Sequence, residues 1–407
     1  MASRWRPDDA EQARAAVAWA VAEETPIEIV GAATKRALGR PTNADITLDL
    51  SALRGITYYE PAELALSAAA GTPLAEIEAA LGEHHQQLAF EPPDLGPLLG
   101  APARAGTLGG VLAGNLSGPR RFKAGAARDH FLGLSAINGR GEAYKSGGRV
   151  VKNVTGYDLC KLLAGSFGTL GVLTEVTVKV LPAPEKIRTV LVHGLDDDEA
   201  VRLMSSVSSG PQEASALAHL PAPVAARSAV GHVGGAGAAV TAARIEGPAP
   251  SVLFRCAQLR ERFGSHGAVE ELHGKNSIAL WREIANVAPI LAPARRAVWR
   301  LSVPPAAAPG VVTDIVSARP ADWYFDWAGG LIWLTCAQND GGGHAEVRAA
   351  IAASGGHATL ISADADLRGA VPVFQPQAEA LSRLSVRVKE SFDPRRIFNR
   401  GRMYPGL

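Results

Sequence analysis

Five glycines, Gly106, Gly109, Gly110, Gly114 and Gly118, fall within thirteen positions of the stretch AGTLGGVLAGNLSGPR, residues 105–120. Glycine lets a backbone come close to a ligand and supplies positive φ where a turn needs it. Consecutive N–H groups in such a loop, running into a helix start, form a cradle for an anion such as phosphate. A small-residue helix packed tightly in a core has the same composition, so the stretch alone carries both meanings. A second stretch, GRVVKNVTGYDLCKLLAGSFGTLGVLTEV at residues 148–176, repeats the pattern with Gly165, Gly168 and Gly171 leading into a strand. Its Lys152 suits a phosphate or a carboxylate, and Tyr157 and Asp158 are polar groups that need partners in apolar surroundings. A third loop, GAATKRALG at residues 31–39, places Thr34 and Lys35 between two apolar runs and offers its backbone N–H groups to a diphosphate.

Other chemistries find little support. The dinucleotide pattern G-x-G-x-x-G with a later acidic residue is absent from residues 105–120, and there is no Walker A sequence and no G-x-S-x-G elbow. Of ten histidines only His84 and His85 are close in sequence, so a metal site built on a helical His pair is not expected. His357, in SGGHATL, has a flexible glycine flank and is the histidine best placed for a site. Cys160, Cys256 and Cys336 are too scattered for a disulfide framework or a Cys-x-x-Cys site, which fits a reducing, cytoplasmic compartment. Lys plus Arg number 41 against 40 for Asp plus Glu, leaving a net charge of +1 and no basic excess for nucleic acid. The N-terminus has no apolar core behind its arginines, so no secretory leader is expected. The weakly apolar residues 222–245 are interrupted by Arg227, His232 and Arg244, so no membrane span is expected either.

The elements that must position these loops are legible in part. At roughly 100–200 residues per domain, 407 residues give two or three domains. Asp8 and Asp9 offer a cap to a helix carrying Ala13, Val17 and Ala20 at helical spacing. Short strands are expected at 27–30, 46–50 and 64–70, then a helix from Pro73, and an alternating strand in which Val176, Val178 and Val180 share a face. LPAPEK, residues 181–186, breaks that strand and marks a boundary. Beyond it, strands are expected at 190–192, 252–254 and 299–303, a helix at 277–287, and an aromatic hairpin joining 323–327 to 331–336 through Ala328, Gly329 and Gly330. The tail from Pro376 is expected to be a helix with Leu381, Leu384 and Val388 on one face.

Taken together, GAATKRALG, LALSAAAGTPLAEIEAAL, TLGGVLAGNLSGPR, ARDHFLGL, VVKNVTGYDLCKLLAGSFGTLGVLTEVTVKVLP and the tail FDPRRIFNRGRMYP resemble the vanillyl-alcohol-oxidase-type (PCMH-type) FAD-binding family. EPPDLG, GPRR, WRLSVP, DWAGGLIWL, GGHAT and GRMYPGL extend the likeness over nearly the whole chain, toward the FAD-binding subunits of bacterial glycolate oxidases.

The resemblance implies an α+β protein: a PCMH-type FAD-binding domain of two α/β subdomains at residues 1–184, an α+β cap domain with an antiparallel sheet at 185–366, and a tail at 367–407 that returns to the flavin domain. By the same resemblance, Gly31, Ala32, Thr34, Lys35 and Gly39 belong to the diphosphate loop. Gly106, Thr107, Gly109, Gly110, Ala113 and Asn115 form the second flavin-contacting stretch, continued by Gly118, Arg128 and Asp129. Asn153, Gly156, Gly168, Gly171 and Val172 close over the adenine and diphosphate side, and Asn399 reaches the isoalloxazine edge.

Residues 31–39 hold no His or Cys, so the FAD is expected to be non-covalent. The family's catalytic hydroxyacid dehydrogenases carry a His cluster that this chain lacks. The implied role is therefore a subunit beside a homologous catalytic FAD subunit and an iron–sulfur subunit, with a small 2-hydroxy acid as substrate and any membrane contact made through partners. The alternative is a free-standing 2-hydroxyacid dehydrogenase in which His357 takes the hydroxyl proton and Arg400 or Arg402 holds the carboxylate.

Overall fold

A computed structural model describes residues 3–149, 156–291 and 296–407. The chain divides into two compact units. One comprises Met1–Ser117, Gly125–Ala183 and Pro376–Leu407, and the other Gly118–Ala124 and Pro184–Gln375.

The first unit contains two main sheets. A parallel sheet runs in the order Ser3–Trp5, Ile46–Asp49, Ile27–Val30. The helix Ala10–Ala22 covers it, started by Asp9, whose carboxylate accepts the Gln12 N–H at 2.8 Å. Ala13, Val17 and Ala20, three positions of one helical stripe, are wholly buried with Ile27, Leu48, Val172 and Phe398. An antiparallel sheet runs in the order Ile56–Glu60, Ala65–Ala69, Val172–Lys179, Phe131–Ile137, Ala143–Gly147. Val176, Val178 and Val180 are buried as the alternation predicts, yet Thr177 on the other face is buried too, its hydroxyl 2.8 Å from that of Ser67.

The second unit is built on an eight-stranded sheet in the order Val269–His273, Lys186–His193, Val240–Gly247, Ala216–Leu220, Ala321–Asp326, Leu331–Ala337, Arg296–Ser302, His357–Ser362. Every pairing in it is antiparallel. The aromatic hairpin lies at its centre.

Three features differ from the sequence-based expectation. Residues 252–254 are helical, inside Ala249–Gly264. Val252, Cys256, Leu259 and Phe263 make a buried stripe at helical spacing, and a window of three residues is too short to show that period. The segment Gly118–Ala124 leaves the first unit for the second, which no pattern in GPRR announces, and the chain returns at Pro376 rather than at 367. The last helix, Glu379–Phe392, leaves Leu381 and Leu384 exposed and buries Lys389 instead. The Lys389 ammonium donates to Asp393 at 2.7 Å, to the Thr169 carbonyl at 2.7 Å and to the Phe398 carbonyl at 3.0 Å.

Candidate functional site

The strand Ile27–Val30 stops at Gly31, and the chain turns back with Ala33 in the left-handed region at φ 57°. None of the backbone N–H groups of residues 31–35 meets a protein acceptor among the described residues. Five successive open donors make a concave seat for an anion. Lys35 adds a cation. Its Nζ donates to Thr34 Oγ1 at 3.1 Å and lies within about 3.5 Å of where a Cβ on Gly110 would stand. Burial pushes its pKa down to about 8, with the charge of Asp94 opposing only in part.

The second wall is the helix Leu108–Ala113, capped by Thr107, whose Oγ1 accepts the Gly110 N–H at 3.3 Å. Leu108 N–H donates to Thr72 and Gly109 N–H to Ala70, at 3.0 and 2.9 Å. The first-turn donors are thus engaged inside the protein, which corrects the expectation that this helix start cradles the anion. The two adjacent glycines differ. A Cβ on Gly109 would meet Ala70 Cβ and O at 2.7 Å, so its absence permits helix-on-strand packing. A Cβ on Gly110 would meet Thr107 Oγ1 at 3.1 Å and Lys35 Cε at 3.2 Å, on the cleft side.

The third wall comes from Phe167, Gly168 and Gly171 and from the chain's last residues. Asn399, at φ 40°, accepts the Ile29 N–H on Oδ1 at 2.8 Å and donates Nδ2 to the Phe167 carbonyl at 2.7 Å. Its amide is therefore bound to backbone at both ends and fixes one strand and one loop. Arg402 is buried, paired with Glu28 at 3.3 Å and donating to the carbonyls of Lys35 and Arg36 at 3.1 Å. It braces the first loop from beneath, so the expected grip of Arg402 on a substrate carboxylate does not fit its surroundings.

The walls line an open cleft. Of the residues expected at the site, Gly31, Ala32, Thr34, Lys35, Thr107, Gly109, Gly110, Ala113, Gly168, Gly171 and Asn399 line it. Gly39 (φ 89°) and Gly106 stand just behind the lining, against Arg402 and Lys35. Asn115, Arg128 and Asp129 instead close a turn: Asn115 Oδ1 accepts the Arg128 N–H at 3.0 Å, and Asp129 accepts the Ala126 N–H at 2.9 Å. Gly156 is exposed and Val172 is in the core, so neither lines the cleft. Gly118 and His357 belong to the second unit, and Arg400 is exposed outside the cleft lining. Asn153 and Lys152 lie outside the described residues. Sequence reasoning missed Ala33, Leu38, Leu50, Ala70, Phe167 and Leu173 as lining residues. Among the described residues no three His, Cys, Asp or Glu side chains gather to hold a metal ion.

A dinucleotide with an anionic middle and flat apolar ends fits this cleft. Open N–H groups and Lys35 face the anion, and Ile29, Val30, Leu50 and Leu173 supply apolar wall. Comparison with known proteins agrees. Residues 4–147 match the FAD binding domain family. Over 390 residues the chain is 34% identical to glycolate oxidase subunit GlcE of Escherichia coli (strain K12), covering 95% of both chains.

The chain belongs to the GlcE family of glycolate oxidase subunits.

FAD is its cofactor, and the fold is of the PCMH type. Glycolate oxidase subunit GlcD of Bacillus subtilis (strain 168) is 37% identical over 118 residues, 29% of this chain and 24% of that one. Among solved structures, 4-ethylphenol oxidase from Gulosibacter chungangensis superposes with a TM-score of 0.76 over 99% of this chain and 89% of its own, at 14% identity, a likeness of fold.

The low pKa of Lys35 gives the cleft a pH signature. Below about 8 the ammonium carries its charge toward an anion; above it the amine is neutral and the attraction is lost. A bound diphosphate favours the charged form, so binding takes up protons near and above that pH. FAD affinity should fall as pH rises from 7 to 9.5, measured by flavin fluorescence quenching, and Lys35→Met should flatten the profile. An identical slope in both proteins assigns the dependence elsewhere.

Proposed function

We propose that this chain is the FAD-holding subunit of a glycolate oxidase complex, working beside a homologous catalytic flavoprotein and an iron–sulfur subunit to convert glycolate to glyoxylate. The observation that carries the reading is the end-to-end similarity to GlcE, which spans the FAD unit, the eight-stranded unit and the tail alike. Similarity to a GlcD subunit over part of the chain supports a second, homologous flavoprotein in the assembly. Cys160, Cys256 and Cys336 are single buried thiols, whereas a cluster needs several thiolates together, so a partner supplies the iron–sulfur centre. Bound FAD supplies the two-electron acceptor for oxidation of an alcohol carbon. This chain's residues seat the dinucleotide through residues 31–35 and shape the cleft through Gly110 and Asn399.

In this reading the protein works in the cytoplasm and meets a membrane through its partners; no helix among the described residues is long and apolar enough to cross one. The D-lactate dehydrogenase of Archaeoglobus fulgidus is 32% identical but over only 44% of this chain, which supports the subunit reading over a free-standing dehydrogenase.

Among the described residues neither His nor Cys lines the cleft, which supports a flavin held without a covalent bond. Acid precipitation should leave a colourless pellet and a yellow supernatant, and a yellow pellet contradicts this. The subunit reading itself is tested by anaerobic mixing of the FAD-loaded chain with glycolate and with D-lactate. Missing a properly placed base costs roughly 10²–10⁴-fold in rate, so the flavin should stay oxidised for minutes alone and bleach once the homologous subunit is present. Bleaching within seconds by the chain alone promotes the free-standing dehydrogenase.

A further inference from the structure

We propose that Asp94 is a positioning residue of the cofactor seat, acting on bound FAD through Lys35 by holding that side chain in its charged form. This role rests on the FAD reading of the cleft and needs no partner subunit. Asp94 belongs to EPPDLG, residues 91–96, a motif that carries part of the family resemblance and stands outside the cleft lining. Its carboxylate is fixed by backbone. Oδ1 accepts the Gly96 N–H at 3.1 Å and Oδ2 accepts the Arg104 N–H at 2.6 Å. The two bonds fold residues 94–96 onto 102–104, so closely that a Cβ on Gly96 would stand 2.5 Å from the Pro102 carbonyl oxygen. Glu91 and Arg104 bracket this fold in the left-handed region, at φ 52° and 58°. Backbone strain of this kind in non-glycine residues persists only where the surroundings enforce it, and it concentrates at ligand sites.

What this fixed charge serves is Lys35. Arg104 lies two positions before Gly106, and a Cβ on Gly106 would stand 3.4 Å from the Lys35 Nζ. The carboxylate is therefore anchored on the stretch of chain that walls the ammonium. Apolar and backbone groups make up much of the remaining wall. Leu74 Cδ1 lies 3.7 Å from the same Gly106 Cβ position, and a Cβ on Gly110 would stand 3.5 Å from Nζ. The ammonium donates to Thr34 Oγ1 at 3.1 Å. A hydroxyl is a modest partner for a group with three donors, and burial disfavours the charged form. Other carboxylates near this loop serve other cations. Glu28 pairs with Arg36 and with Arg402, Glu76 with Arg54 at 3.0 Å, and Glu78 with Arg104 at 3.4 Å. Arg402 is turned to the carbonyls of Lys35 and Arg36. Burial pushes the Lys35 pKa down to about 8, and Asp94 is the charge that resists the fall.

A carboxylate close to an anion seat carries a cost, because it repels the diphosphate as well. Lysine reverses the balance. A neutral amine offers an anion no charge, whereas a buried ammonium offers one in surroundings where charge is poorly screened. Asp94 thus exchanges a weak repulsion for a retained cation. The sign follows from the direction of the shift. Lys35 is charged below its pKa and neutral above it, so loss of Asp94 lowers that pKa further and the cation disappears at a pH closer to neutrality.

The test is FAD affinity of the full chain, read by flavin fluorescence between about pH 6 and 9.5, together with thermal melts. The bend in a plot of log affinity against pH marks the Lys35 pKa. In Asp94→Asn the bend should move down by roughly half a unit or more. At pH 6, where Lys35 is charged in both proteins, the variant should bind FAD as tightly as the parent or more tightly, since a repelling carboxylate is gone. Asp94→Glu should place the bend between the two. Adding Lys35→Arg to Asp94→Asn supplies a cation that stays charged throughout, so the profile should flatten and affinity above pH 8 should recover. An Asp94 that only fastens its turn would weaken FAD by one factor at every pH and lower Tm. That outcome, or an unmoved bend, overturns the role. If Asp94→Asn does not fold, Asp94→Glu carries the comparison, and an unmoved bend there overturns it equally. A parent chain that binds no FAD at any pH overturns the FAD reading with it, whereas bound FAD with parallel profiles overturns the role of Asp94 alone.

Discussion

Gly110→Val gives a folded protein that holds no FAD. The helix Leu108–Ala113 accepts a side chain at this position without strain, since its backbone is helical, and the atoms a Cβ would meet are Thr107 Oγ1 and the flexible end of Lys35. The cost to the fold is a small rearrangement of Lys35. The cost to the cleft is larger, because a branched side chain projects where Lys35 and the open N–H groups of residues 31–35 face the dinucleotide. Gly109→Val behaves differently. Its Cβ would lie 2.7 Å from the Ala70 carbonyl, an overlap with backbone that cannot move aside, so expression and Tm should fall before flavin binding is asked about. The pair of variants is read by flavin absorbance per chain and by thermal melts. Stoichiometric FAD in folded Gly110→Val removes this position from the cofactor seat.

Lys389→Met should be the most destabilising single change outside the cleft. Lys389 and Asp393 are both buried, and Asp393 also accepts the N–H groups of Ile397 and Phe398 at 3.1 and 2.8 Å. Removing the ammonium leaves a carboxylate uncompensated in the interior, together with the carbonyls of Thr169 and Phe398 that it served. Breaking a buried pair in this way costs about 3–5 kcal/mol, a fall in Tm of roughly 10 °C for a unit of this size. The residues it anchors run directly to Asn399 and Arg402, so flavin retention should drop as well. Arg383→Ala, which breaks an exposed pair with Glu379, serves as the control and should leave Tm where it was. A Lys389→Met protein with native Tm and full flavin content would show that the pair is dispensable.

Period and punctuation made much of the fold legible. The helix Ala10–Ala22, the strand Ile27–Val30 and the hairpin across Ala328 and Gly329 all follow from spacing and turn residues that are local in the chain. The first loop was legible too, because glycine next to a strand end is a local signal. What stayed hidden depends on contacts between distant residues. The strand-like triplet at 252–254 lies in a helix because its stripe extends to Phe263. Asn399 could be placed near the flavin by resemblance, but its bonds to Ile29 and Phe167, across 370 and 232 positions, have no trace in sequence spacing. The donors of the helix after Thr107 looked available because nothing local shows that Thr72 and Ala70 accept from them. The role of Lys389 is likewise silent in the sequence, since a buried charge is recognisable only through its partners.

The brace beneath the first loop has a consequence for how the protein is made. Lys35 is synthesised 367 positions before Arg402, and Ile29 370 positions before Asn399, the residues that hold this part of the chain. The nascent chain therefore carries a half-built loop until those two residues have been added and folded back. Loading with FAD becomes an event that follows their emergence. A chain truncated ahead of Asn399 should accumulate colourless, whatever the supply of flavin, so colour in the cell reports synthesis carried past that point.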